Sequence, residues 1–228
     1  MANVVAIVGD TGTGKSTSTE LLDPAQTFIV NCANKPLPFR GSAGKYSVAN
    51  KNMLHTTSAA EILGLIKIIN EKQLHIKNLI IDDSGFVMTE LFFLKAQETG
   101  YGKFTEIAKA YQSILTNAKS MRDDLNIAFM LHEEDETSNQ IKVKKKAKTV
   151  GKLVDDQYNP LSVVSIALFT HVSYDKENNP TYNFVTNRTM LGGVEVPAKS
   201  PKGMFNSLLI PNNLLDVFTK AREYYAGA

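Results

Sequence analysis

Eight residues near the N-terminus, Gly9-Asp10-Thr11-Gly12-Thr13-Gly14-Lys15-Ser16, have the spacing G-x-x-x-x-G-K-[ST]. Glycines at these positions let the backbone curl until successive N–H groups point inward at phosphate oxygens. A helix predicted over residues 16–22 adds the partial positive charge of its N-terminus. Lys15 is the residue to bridge the β- and γ-phosphates of a nucleoside triphosphate, and the Ser16 hydroxyl the one to ligate Mg²⁺; Thr17 completes the candidate nucleotide-binding run. Mg²⁺ beside phosphates needs a carboxylate, and Leu79-Ile80-Ile81-Asp82-Asp83 offers two. Asp82 is the metal candidate, acting through the metal's water. Asp83 is either the general base that orients an attacking water or the start of a turn, Asp83-Ser84-Gly85. His132 follows the apolar run 127–131 and either touches the γ-phosphate or merely ends a strand.

Two further groups carry charge or rings. Lys142, Lys144, Lys145, Lys146, Lys148 and Lys152 fall in one acid-free stretch just after Glu133-Glu134-Asp135-Glu136. On a mobile segment beside a nucleotide site, such lysines could neutralise nucleic-acid phosphates; on a solvated hairpin they need no partner. Tyr101 and Lys103 sit in Gly100-Tyr101-Gly102-Lys103, where a tyrosine could stack on a base and a lysine meet a phosphate, or the glycines could simply join two helices.

Elements must bring these residues together. The run 4–8 (VVAIV) is continuous, β-branched and stopped by a glycine, the pattern of a strand buried on both faces of a parallel sheet. Similar runs recur at 27–31, 78–82, 127–131, 163–169 and 182–186. Ser58-Ala59-Ala60-Glu61 is a capping box before Ile62, Leu65, Ile66 and Ile69. A second helix carries Phe104, Ile107, Ala108, Tyr111, Ile114, Leu115 and Ala118 on one stripe. This alternation predicts an α/β fold with a mainly parallel central sheet flanked by helices. The turn-rich segment 175–180 predicts a C-terminal antiparallel hairpin. The 228 residues are expected to form a single domain.

Lysine plus arginine number 25 against 23 acidic residues, a net charge of +2, yet without the six clustered lysines the chain is acidic. Cys32 is the sole cysteine, which excludes an intramolecular disulfide or a cysteine metal cage and fits a reducing compartment. No run approaches the roughly 18 apolar residues of a membrane span, and the first apolar run has the wrong length and flanks for a secretory signal, so a cytoplasmic chain with no membrane partner is expected.

Taken in order, the phosphate loop, the Leu79-to-Asp83 strand, the 100–103 loop, His132 and the lysine-rich segment resemble a RecA-like core. Together with Asn34-Lys35-Pro36-Leu37-Pro38-Phe39, Thr149-Val150-Gly151-Lys152-Leu153 and Ala198-Lys199-Ser200-Pro201-Lys202-Gly203-Met204-Phe205, the chain resembles bacteriophage P-loop ATPases of the Sak-type single-strand-annealing group. The resemblance implies a RecA-like fold, ATP and Mg²⁺ as ligands, and single-stranded DNA binding in phage recombination or replication. It further implies a homo-oligomeric filament or ring in the host cytoplasm, with a single-strand-binding protein as a further partner. By position, it assigns 100–103 and 133–152 to the DNA-contacting loops and His132 to the switch between sheet and loop. One departure stands out: where RecA-type proteins place a catalytic glutamate, this chain has Asn31, so Asp83 takes the role or hydrolysis is slow. A cation donated by a neighbouring subunit would come from Arg188, Lys199 or Lys202. Two other readings remain open: a small nucleoside or nucleotide kinase, disfavoured by only four arginines, and a non-catalytic ATP-gated binding module, which Asn31 favours.

Overall fold

A computed structural model of the chain describes residues 1–150 and 159–227. The β-branched run lies in β1 (Asn3–Gly9), buried along its whole length. Parallel neighbours flank it on both sides, β5 (Asn126–Ser138) and β7 (Ile166–Tyr174). Beyond β5 follow β4 (Asn78–Asp82), β2 (Thr27–Asn31) and the two-residue β3 (Met53–Leu54), all parallel. On the other side β8 (Pro180–Val185) returns antiparallel along β7, and β11 (Leu209–Pro211) pairs with β8. The order is β11-β8-β7-β1-β5-β4-β2-β3, which is the mainly parallel sheet with a C-terminal antiparallel hairpin predicted above.

Helices cover both faces, which is why residues 4–8 of β1 are all apolar. The amphipathic helices α2 (Ala59–Glu71) and α4 (Gly102–Lys119) pack Ile62, Ile66, Ile107, Tyr111 and Ile114 against Val4, Ala6 and Val8, joined there by Val87 and Met88 of α3 (Phe86–Leu94). The alternate residues Val5 and Ile7 face Val217, Phe218 and Ala221 of α5 (Leu214–Ala226). The Ser58 hydroxyl accepts the Glu61 N–H at 3.4 Å, as the capping box requires, a contact worth about 1 kcal/mol. The 32–52 stretch holds only the four-residue α1 (Ser42–Lys45), with Tyr46 donating to the Leu22 carbonyl at 3.1 Å.

Two segments differ from expectation. The helix predicted over 16–22 is a single 3₁₀ turn, Ser16–Thr19. Ser18 Oγ donates to the Lys15 carbonyl (2.6 Å) and Thr19 Oγ1 to the Ser16 carbonyl (2.7 Å), so hydroxyls compete for the acceptors an α-helical ladder would use. The acid–lysine segment differs from the mobile-segment reading and agrees with the hairpin one, as a ladder: β5 runs on past the sheet to Ser138 and folds back as β6 (Ile141–Ala147) through Asn139 and Gln140, both at positive φ, as a two-residue hairpin turn demands. Two short strands, β9 (Thr189–Leu191) and β10 (Val194–Val196), extend this ladder.

Parallel register has a functional consequence. Gly9 lies opposite His132, and Asn31 opposite Asp82, so the carboxyl ends of β1, β5, β4 and β2 deliver the polar residues to one edge.

Candidate nucleotide and metal site

The phosphate loop is tied down by its own side chains. Thr13 Oγ1 donates to the Asp10 carbonyl (2.7 Å) and accepts from Thr170 Oγ1 (2.7 Å), while Asp10 Oδ1 receives the Thr11 N–H (2.7 Å). Gly9 lies so close to β7 that a β-carbon there would sit 1.8 Å from Thr170 Oγ1. Gly14 adopts φ +96°, and a β-carbon there would meet the Asn212 amide at 2.9 Å and the Tyr182 ring at 3.2 Å. Asn212 and Tyr182, which buttress the loop from α5's start and from β8, carried no motif in the sequence that could have singled them out.

Lys15 is buried, and its ammonium donates to the carbonyls of Gly9 and Asp10, each at 2.9 Å. Burial pushes its pKa down, opposed by the nearby Asp83 and Asp82 carboxylates. The ammonium thus rests on the loop's own carbonyls, at the mouth of the curl that a phosphate would enter.

Across the loop the Ser16 hydroxyl donates to Asp82 Oδ1 at 2.9 Å. Asp82 Oδ2 is buried with no hydrogen-bond partner. Burial foremost, then the neighbouring Asp83 charge, pushes the Asp82 pKa up to about 6, against the relief given by Ser16, Lys35 and Lys15. A hydroxyl and a carboxylate whose second oxygen is buried and unpartnered form a donor pair that fits Mg²⁺, a hard cation that shares its coordination with waters and phosphates. Ser16 and Asp82 would hold it, as the sequence predicts. Among the described residues no group of three or more His, Cys, Asp or Glu could cage a metal by itself.

Asp83 turns away from this pair. Its φ of +53° is left-handed, and the next residue anchors the chain: Ser84 donates its N–H and its hydroxyl to the Met130 carbonyl (2.8 and 3.0 Å), with the Tyr111 hydroxyl 2.9 Å from Ser84 Oγ. The carboxylate, 1% exposed, reaches Lys35 Nζ at 2.5 Å through Oδ2 and lies 3.2 Å from His132 Nε2 through Oδ1. Burial alone would raise its pKa, but the His132 and Lys35 contacts outweigh burial and bring it down to about 2. Such a carboxylate accepts a hydrogen bond from a water readily and holds a proton poorly, so it suits orienting a nucleophile better than deprotonating one. His132, edge-on to the Phe86 ring at 6.3 Å, stands beside it.

Lys35 was missed as a site residue; it appears in the sequence only within the 34–39 stretch. Asn31 explains its placement. The Asn31 side chain donates to the Lys35 carbonyl (2.7 Å) and accepts the Lys35 N–H (3.4 Å), closing a tight turn at the end of β2. The readable signal was an asparagine at a strand end followed four residues later by lysine and proline, the proline favouring extended backbone at Lys35. The buried thiol of Cys32 lies in this turn, its pKa pushed up to about 12 by burial and the adjacent Asp82 and Asp83.

The remaining predicted residues fall elsewhere. Tyr101 is 88% exposed at the start of α4, whereas Lys103 donates to the Glu98 carbonyl (2.9 Å) and lies 5.7 Å from both the Phe92 and Phe104 ring centres. Lys142 pairs with Asp135 (2.5 Å), Lys144 with Glu195 (3.6 Å), Lys145 with Glu133, and Lys146 with Glu134 (3.1 Å). The cluster is therefore charge-matched across the ladder rather than a bare basic arm. The Lys148 N–H donates to the His132 carbonyl at 2.8 Å, next to the site; Lys152 lies outside the described residues. Arg188 is bound to Glu195 at 2.8 Å. Lys199 is half-buried, its backbone paired with Ala167, and burial lowers its pKa. Lys202 is exposed, its carbonyl accepting from the Tyr224 hydroxyl at 3.1 Å.

No protein-family model matches the chain, and no curated protein matches it in sequence. Among solved structures, a KaiC-like protein from the hyperthermophilic archaeon Pyrococcus horikoshii OT3 is similar to it, with a TM-score of 0.49 and 9% identity, over 80% of this chain and 78% of that chain. Among the described residues no helix is long and apolar enough to cross a membrane.

Proposed function

We propose that this chain is a RecA-like, Mg²⁺-dependent ATPase that binds single-stranded DNA during phage recombination or replication and assembles with copies of itself. The observation that carries the nucleotide part is the Ser16–Asp82 pair, with its unpartnered buried Oδ2, set beside Lys15 at the mouth of the phosphate loop. The chemistry follows from the residues in place. The loop N–H groups and Lys15 bind the phosphates and Asp83 with His132 orients a water; Ser16 and Asp82 would hold the metal, which would supply neutralisation of phosphate charge. Among the described residues Asp83 is the carboxylate beside His132, and its weak basicity makes turnover slow. Single-stranded DNA, the phage setting and self-assembly are supported by the sequence resemblance, which assigns the lysine-bearing hairpin just beyond His132 to the DNA contact.

The weak basicity of Asp83 favours one second reading, an ATP-gated module that binds nucleotide without turning it over. ATP turnover measured with and without single-stranded DNA across a salt series tests both. DNA-stimulated turnover that fades with salt is the expected result; tight MgATP binding with no turnover on or off DNA assigns the chain to the gated module.

A further inference from the structure

Lys35 is set in place with unusual care for a surface lysine. Its backbone is held at both N–H and carbonyl by the amide of Asn31, a residue only 1% exposed, with Asn34 in the left-handed region (φ 49°) to close the turn. That amide occupies the strand end where the resembling proteins are expected to carry glutamate. Lys35 Nζ then lands on Asp83 Oδ2, the oxygen away from His132, while about half of its side chain stays open to solvent. Its charge is felt by Lys15 and by Asp82, so it shares the electrostatic site of the metal and phosphates.

Charge balance asks for such a residue. Two aspartates face Lys15 and Lys35 within this one site. With Asp82 committed to the metal and Lys15 bridging two phosphates, the charge that builds on a transferring γ-phosphoryl group still lacks a cation of its own. Arg188, Lys199 and Lys202 are candidates from a neighbouring copy; within this chain Arg188 is bound to Glu195, and among the described residues no ion pair or hydrogen bond links any of the three to Ser16, Asp82 or Asp83, so a cation from the chain's own site must come from elsewhere. A lysine on a flexible stem, fixed at its backbone and with about half of its side chain open to solvent, can move from a carboxylate to a phosphate oxygen by side-chain rotation alone.

We infer that Lys35 is a γ-phosphate ligand supplied in cis, which distinguishes a nucleoside triphosphate from a diphosphate and frees Asp83 Oδ2 to face the attacking water when the triphosphate arrives. This rests on the nucleotide reading above and adds to it the residue that senses the third phosphate.

Titration calorimetry of the full chain with MgATP and with MgADP tests it, comparing the wild type with Lys35→Met, which keeps the apolar stem and removes the charge. The variant is expected to lose about tenfold or more in affinity for MgATP and no more than about twofold for MgADP. An equal loss for both nucleotides, or none, overturns the inference. Because Lys35→Met strips Asp83 of a partner, the double variant Lys35→Met/Asp83→Asn provides a charge-matched background in which the same selective loss is expected. Amine acylation read by mass spectrometry adds a measurement on the wild type: MgATP should protect Lys35 more than MgADP does, and equal protection overturns the inference. Failure of the wild type to bind either nucleotide overturns the nucleotide reading itself, and this inference with it.

Discussion

The Ser16 hydroxyl donates to Asp82 Oδ1 at 2.9 Å, linking the phosphate loop to a strand two places away in the sheet. Without a metal the arrangement is costly, because burial holds the Asp82 pKa near 6 against an ordinary 3.8. The folded protein keeps this proton to higher pH than the unfolded chain, so stability is lost as pH rises from about 4 to about 6. Asp82→Asn is therefore expected to stabilise the nucleotide-free protein at pH 7.5 by on the order of 2 kcal/mol, the gain vanishing below about pH 4. The same variant should lose the stabilisation that MgATP gives the wild type. Thermal denaturation between pH 3.5 and 8, with and without MgATP, reads both effects; a variant less stable than wild type throughout contradicts them.

Asn31 is a clamp and not a misplaced base. Asn31→Ala removes both bonds to the Lys35 backbone and is expected to cost about 1–2 kcal/mol in urea unfolding. Asn31→Glu should be worse, since it adds a buried carboxylate beside Asp82 and Asp83 and cannot donate to the Lys35 carbonyl. Single-turnover ATP hydrolysis should be no faster in Asn31→Glu than in the wild type; a clear gain would mean that this position is a vacant base site after all.

The close approach of Gly9 to Thr170 leaves no room for a β-carbon at the first glycine of the loop. Gly9→Ala puts a methyl group 1.8 Å from Thr170 Oγ1 and 2.9 Å from Thr170 Cβ, so β1 and β7 must part. A cost of about 2–3 kcal/mol is expected. Thr170→Gly clears both atoms, and the double variant should be less destabilised than the sum of the two singles. Strict additivity in denaturant unfolding would show that the strain is relieved somewhere other than Thr170.

Much of this was legible because the sheet is parallel and covered on both faces. Burial on two sides writes the cores of β1, β2 and β4 as apolar runs, and parallel register places whatever follows each run at one edge, so the placement of Lys15, Ser16, Asp82 and His132 at that edge could be read from local pattern alone. The capping box at Ser58 was readable for the same local reason. What was not legible depends on pairings between distant segments. Lys35 reaches Asp83 across 48 residues through a turn fixed by a single amide. Asn212 and Tyr182 meet Gly14 only once β8 and β11 have been added to the sheet. Along the chain the lysines form an acid-free stretch, while their partners Glu133, Glu134 and Asp135 lie across the ladder on β5 and Glu195 lies on β10.

That ladder reshapes the expected behaviour on DNA. A lysine that contacts a phosphate releases a counterion from the nucleic acid, but a lysine already paired with a carboxylate exposes that acid when it moves, and the acid takes up a cation in turn. Net release is smaller than the lysine count implies. Replacing Lys144, Lys145 and Lys146 by alanine should weaken single-stranded DNA binding yet flatten the salt dependence by less than the roughly two log units per log unit of salt that three free lysines would contribute. Neutralising the partners of these three lysines, Glu195→Gln with Glu133→Gln and Glu134→Gln, should instead tighten binding and steepen the slope. Fluorescence anisotropy with a labelled oligonucleotide between 50 and about 300 mM salt reads both. If the acid-neutralised variant binds no better than the wild type, the hairpin is a charge-matched structural ladder and the DNA surface lies elsewhere.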